Sequence, residues 1–508
     1  MPLAIALEPA LLLGGALVIV ACFALRAAGR IGKPLVGHDT WSILLIVDEI
    51  SKGHGYNGAS KYYLIEGDLD YPPLFFYFLS VFPSSWLRRY NWVINPALDS
   101  INAAIAFTLA YLLVGNLELA VAAGFIYSFT PAVLEESLNL NVRAFGLILF
   151  NLTMVWLLFY YQSGNLVYVI PTIAFGILVL LSHKFATQVL FSLLVVLAVL
   201  DWSPTSFLVL AAIVLGAIFF SKGFYLKILR GHIGIVSFWI AHQRQYGTKY
   251  VPTRSSTDKI TTSQDQHDPS KFSVRQLWRA TRRVNPLYWL LSLCPFNPFA
   301  LIVVLLPFVG MQGGWARALV EWSLLTLISY YAATYLRFLG QYAGRSQFLE
   351  YNALPTAILC SLFLGGTFAY WRIVVVVVVV TLSLLQNIRT WRRVRVYSRS
   401  DDQSLLQDIF DYLKKSGKDG VICLPPSHTF AVPYFTGKKV FYTMSAQNYE
   451  KLAAFFPVLT VPLKTLSEEY GIHFAIVDRE VVPLNSLDLS GFDEVMERNG
   501  YVLLEKRF

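Results

Sequence analysis

In a chain this apolar, the informative ionisable residues are those placed just beyond the ends of hydrophobic runs. They concentrate in one polar stretch, 29–71. Gly37-His38-Asp39-Thr40-Trp41 follows the first apolar run, and Asp68-Leu69-Asp70-Tyr71-Pro72-Pro73-Leu74 leads into the next. A carboxylate in such a place can take a proton from an acceptor hydroxyl or amine, or orient it, which is general-base work. Asp39 and Asp70 together also offer the hard oxygen ligands that a divalent cation such as Mg or Mn prefers. Farther along, Glu135-Glu136, His183-Lys184 and Gly344-Arg345-Ser346 flank later apolar runs. Lys and Arg at such positions can offset the charge of a phosphate, Arg in bidentate fashion.

Each of these residues has a plainer reading. Asp39 can cap a helix starting near Thr40. Asp70 can be a turn residue before two prolines, and Tyr71 a packing residue. His38 can be a solvated interface residue, and Glu136 a solvated helix-end carboxylate. His183 and Lys184 can snorkel from a helix end, and Arg345 can anchor to headgroups.

The elements that must hold these residues are set by composition. Of 508 residues, 56% are hydrophobic and 14% charged, against about 25% charged in soluble domains. Apolar runs recur near 6–28, 95–114, 118–134, 143–161, 166–182, 185–201, 205–221, 286–309, 316–339, 352–370 and 373–388. Runs of this kind, with about 20 residues needed per crossing, predict an α-helical polytopic membrane protein of about eleven transmembrane helices. The run 72–86 is shorter and reads as a tilted or re-entrant segment. The first run lacks a basic n-region and a small-residue cleavage site, so it reads as a retained helix. Ser42–Gly53 carries Ile43, Ile46, Val47 and Ile50 on one side, the pattern of a helix lying in the membrane interface.

The formal charge of +9 fits basic loops at headgroup level and membrane lipids as partners, not nucleic acid. Four scattered cysteines give no disulfide framework or CxxC metal site. Residues 243–285 have little apolar content and read as a long polar loop, with a basic helix at Ser273–Arg283. After Arg399 the pattern changes. A helical stripe at Leu405, Leu406, Ile409, Phe410 and Leu413 precedes strand-like Gly420–Pro425, Lys439–Thr443, His473–Asp478 and Tyr501–Arg507. The expected division is therefore a transmembrane domain, 1–390, and a small soluble α/β domain, 391–508. The tail contains no GxGxxG or P-loop sequence, so no nucleotide site is expected.

The first polar stretch resembles that of the GT-C class of glycosyltransferases, in particular the protein O-mannosyltransferase and aminoarabinose transferase branch. The shared order is a first span, an acidic residue at its outer end (Asp39), an interfacial helix, the Gly-rich turn Gly53-His54-Gly55-Tyr56-Asn57-Gly58, and a Tyr71-Pro72-Pro73-Leu74 element entering the next helix. Tyr71 stands where His or Lys is commonest. Pro131–Ser137 with Asn141-Val142-Arg143 resembles the second outer loop of these enzymes, and Leu181–Lys184 the start of the third. Arg345, before Glu350-Tyr351, resembles an arginine that faces the lipid phosphate. The resemblance implies a polyprenyl-phosphate or pyrophosphate sugar donor and a lipid, glycan or protein acceptor. It further implies catalysis by Asp39, with His38, Asp70, Tyr71, Glu136, His183, Lys184 and Arg345 binding substrate.

If 72–86 does not cross, counting spans places 37–71, 135–143, 183–184, 243–285 and 344–350 on one side of the membrane, the extracytoplasmic side in this class, together with the tail. Arg389, Arg392, Arg393 and Arg395 argue the other way, because basic residues after a span favour the cytoplasm. Three other readings remain open: a transporter or flippase of lipid-linked glycans, which predicts broken or charged mid-membrane helices and repeats; a surface-glycan ligase or polymerase; and a membrane-anchored sensor.

Overall fold

A computed structural model of the chain describes residues 9–28, 30–31, 37–136, 139–200, 204–242, 286–303, 314–335, 345–365, 369–400, 406–455, 459–482 and 484–507. The polar loop 243–285 lies outside them. The fold is mostly helical, with one small sheet near the C-terminus. Among the described residues, four helices are long and apolar enough to cross a membrane: Pro9–Ala27, Ser84–Val114, Arg143–Ser163 and Ile373–Arg392, the last lying within Ala369–Ser400. Thr205–Phe220 and Phe224–Phe238 pass the same test only as a bent pair. The chain is thus an integral membrane protein. Several of the other apolar runs form shorter helices, Leu117–Phe129, Leu166–Leu180 and Lys184–Leu200. Seventeen residues rise only about 26 Å, short of a hydrocarbon core of about 30 Å. Gly314–Tyr335 and Arg345–Leu364 are long, but they carry Arg317, Glu321, Glu350 and Asn352. The segment 72–86 resolves into a seven-residue helix, Leu74–Ser80, and the start of Ser84–Val114, so it is too short to cross.

The chain divides into two compact units. The first comprises 1–34, 89–225 and 275–397. Its interior is packed with small and apolar side chains and cross-linked by buried amides and hydroxyls. Asn151 donates to Asn102 across 2.8 Å, and Asn352 donates to Ser323 Oγ and Thr326 Oγ1 at 2.8 and 2.9 Å. Amide pairs in an apolar interior satisfy groups that would otherwise cost about 1–3 kcal/mol each, and they fix the register of neighbouring helices. One buried ion pair joins the end of the first span to the Ser84–Val114 helix, with Arg26 Nε 3.6 Å from Asp99 Oδ2.

The second unit comprises 35–88, 226–274 and 398–508, so the first polar stretch folds with the C-terminal residues. Its sheet contains β1 (Val421–Leu424), β2 (Phe474–Asp478), β3 (Phe492–Arg498) and β4 (Tyr501–Lys506), in the order β1-β2-β4-β3. β1 and β2 are parallel, which demands a crossover; the chain between them includes the helices Ala431–Thr436 and Leu463–Tyr470. The other pairings are antiparallel. The stripe at 405–413 becomes the helix Gln407–Lys415, which buries Ile409, Phe410 and Leu413. Lys439–Thr443 contributes not a strand but isolated bridges, from Val440 to Val421 and to Tyr63. β3 escaped the sequence reading because it is an exposed edge strand of acidic and basic residues with no apolar alternation. Ile65 of the first stretch lies in the sheet's own core with Ile422, Phe441 and Val477.

Candidate functional site

The helix after the first span runs from His38 to Ser51, starting two residues before Thr40. Gly37 precedes it with φ 87°, a conformation that a side chain would strain, and no side chain caps the helix. Asp39 therefore occupies the first turn rather than the cap, where its charge sits favourably on the helix dipole. The helix does not lie with one face in an interface. Trp41 and every residue from Ile43 to Glu49 are buried, with Trp41 packed on Phe435 at 4.7 Å and on Tyr434 at 5.2 Å. Asp39 projects from this wedged helix and is exposed.

Most carboxylates of the first stretch are already engaged. Asp48 accepts from Arg88 at 2.6 Å, and Asp68 from Lys227 at 2.7 Å. Asp70 is buried, and its Oδ2 accepts from the backbone amide of Ala446 at 2.6 Å and from Ser445 Oγ at 3.4 Å. A Cβ at Gly231 would collide with this carboxylate. Tyr71, beside it, is fixed through its carbonyl, which accepts from Tyr56 Oη at 2.6 Å. Asp39 and Glu66 are exposed and hold no side-chain hydrogen bond or ion pair among the described residues.

Glu49 went unrecognised in the sequence. Its side chain is fully buried and accepts from Lys61 (2.6 Å), His54 (2.7 Å), Lys52 (2.8 Å) and Tyr62 (3.2 Å). Burial pushes its pKa up, but the hydrogen bonds from Lys52, Lys61 and His54 outweigh it and hold the carboxyl at about 2. The bond to Glu49 in turn raises Lys52. This hub ties the end of the helix to the Gly-rich turn and so fixes Tyr56. Its signal was an acidic residue on the apolar side of a helix with two lysines and a histidine close behind.

In the first unit, three of the stretches singled out in the sequence meet. Arg143 Nη1 lies 3.4 Å from Glu350 Oε1. His183 Nδ1 accepts from the Ala186 amide at 3.4 Å and is 3.2 Å from Tyr351 Oη, while Phe185 packs on Phe348 at 4.9 Å. His183 is buried and Lys184, opening its helix, half-buried. Glu136 ends a short helix, Pro131–Glu136, and Arg345 begins Arg345–Leu364. The side chains of His38, Glu136 and Arg345 lie outside what is described. Among the described residues no three His, Cys, Asp or Glu side chains gather as a metal-ligand set.

No protein-family model matches the sequence, and no curated protein sequence matches it. Solved structures do. The oligosaccharyltransferase AglB of Archaeoglobus fulgidus, in complex with an inhibitory peptide and a dolichol-phosphate, is 12% identical over 92% of this chain and 69% of that one, with a TM-score of 0.53. The A. fulgidus oligosaccharyltransferase with Zn and sulfate is 12% identical, over 91% and 68%, at 0.50. ArnT of Cupriavidus metallidurans bound to undecaprenyl phosphate is 11% identical over 96% and 97%, at 0.47. At this identity the likeness is one of fold: the chain has a GT-C-class fold.

Proposed function

We propose that this chain, which has the fold of GT-C enzymes, is a membrane glycosyltransferase. It moves a sugar from a polyprenyl-phosphate or pyrophosphate donor to an acceptor hydroxyl or amine at the extracytoplasmic face. The neighbour solved with a dolichol-phosphate and a peptide supports the general substrate classes. The observation that carries the reading is Asp39: in a stretch whose other carboxylates are mostly engaged, it stands exposed in the first turn of a buried helix just past the first span.

In this reading the acceptor oxygen or nitrogen attacks the anomeric carbon from the face opposite the lipid phosphate. The new glycosidic bond forms as the carbon–oxygen bond to phosphate breaks, inverting the centre. The phosphate leaves with the bonding electron pair, and Asp39, which orients the acceptor, takes its proton. Lys184 and Arg345 engage the donor phosphate, whose charge grows as the bond breaks. Asp70 holds the Tyr71-Pro72-Pro73 element in place, and His38, Glu136 and His183 supply further substrate contacts. A divalent cation such as Mg or Mn remains part of the proposal, with Asp39 and Asp70 as its candidate ligands, and no step is routed through it. About eleven spans, several of them short, complete the proposed membrane domain.

The test is to purify the protein with its native lipids and identify co-purifying polyprenyl-phosphate sugars by mass spectrometry. A bound lipid-linked sugar, turned over when acceptor is supplied, is the expected result; purification without one, and no transfer from any such donor, would overturn the reading.

A further inference from the structure

Arg30 is buried to 1% exposure, just after the Pro9–Ala27 span, and Asn91, two turns into the Ser84–Val114 helix, is buried completely. Arg30 Nη2 donates to Asn91 Oδ1 over 3.5 Å, a long bond to a neutral acceptor. Arg30 Nε and Nη1, and Asn91 Nδ2, are buried without a hydrogen-bond partner among the described residues. One turn earlier, Arg26 faces Asp99 at 3.6 Å, so the carboxylate paired at this end of the span among the described residues is already opposite another arginine. The local set is therefore a permanent positive charge and three buried donors. Asn91 Oδ1, its one acceptor, is already taken.

A guanidinium held away from water without a counter-charge costs several kcal/mol. A cation-binding role does not fit a donor set. From this arrangement we infer that Arg30 and Asn91 form a site for a phosphate-class oxyanion. A planar guanidinium edge with an adjacent amide N–H matches two oxygens of a phosphate. Arg30 follows the end of the first apolar helix, and an anionic phospholipid headgroup and free phosphate share the chemistry the site selects. This site lies on residues other than those assigned to the sugar donor, and it stands whether or not the chain transfers sugar.

The experiment is thermal unfolding of the full chain in a neutral detergent, titrated separately with inorganic phosphate, short-chain phosphatidic acid and short-chain phosphatidylcholine. Ligand binding to the native state raises the midpoint by mass action. Phosphatidic acid is expected to raise it, with phosphatidylcholine doing much less. A rise with inorganic phosphate as well identifies a free-anion site; a rise with the lipid alone identifies a headgroup site. Arg30→Met is expected to weaken the phosphatidic acid effect roughly tenfold or more in apparent affinity, and Asn91→Leu to weaken it less. Should Arg30→Met fail to fold, Asn91→Leu and the wild-type titration still decide. A wild-type midpoint indifferent to both anions, or an anion effect undiminished in a folded variant, would overturn the proposal.

Discussion

The carboxylate of Asp70 accepts a 2.6 Å hydrogen bond from the backbone amide of Ala446, joining two segments of the chain that lie far apart in sequence but fold into one unit. The residue two places before the prolines is thereby set by the C-terminal part of the protein. Charge-assisted bonds of this kind contribute about 1.5–3 kcal/mol. Asp70→Asn is expected to lose about that much from the unit's stability and to raise amide exchange at Ala446 and its neighbours; unchanged exchange there would show that the bond holds nothing.

The Glu49 hub gives the unit a pH dependence with a definite sign. The folded carboxyl, at about 2, lies below its ordinary value of 4.5. Its contribution is therefore complete above about 4.5 and is lost as pH falls toward about 2. Protection of the amides of 52–62, taken relative to the intrinsic exchange rate at each pH from 6 to 3, is expected to fall below about 4.5, and Glu49→Gln is expected to flatten that dependence. A variant with the same pH profile as the parent would show that another group carries the effect.

Position decided how much could be read in advance. The apolar runs and the order from Asp39 to Pro73 are continuous in sequence, so hydropathy and turn chemistry exposed them. The partners of buried charges are not: Arg26 with Asp99, Arg143 with Glu350 and Asp70 with Ala446 are joined only by the fold. Periodicity did not reveal that Ile65 belongs to the core of the C-terminal sheet, because a single bridging residue has no pattern. The helix Phe224–Ala241 was passed over because Lys227, Arg230 and His232 interrupt its apolar run; Lys227 turns out to pair with Asp68.

Donor binding is expected to respond to the first unit. Arg345→Ala removes a guanidinium proposed to face the lipid phosphate, so both affinity for the lipid-linked sugar and turnover are expected to fall, by roughly tenfold or more. Arg345→Lys should recover part of the binding. Equal donor affinity in all three proteins would place the phosphate elsewhere.

Asp39 bears most directly on the proposed chemistry. Asp39→Asn keeps the shape of the side chain and its place in the first turn while removing the charge. Sugar transfer from the lipid-linked donor is expected to fall by roughly 10²–10⁴-fold, with donor affinity and thermal stability nearly unchanged. An Asp39→Asn protein that transfers sugar at the parental rate would contradict the assignment of Asp39 as the base or orienting carboxylate.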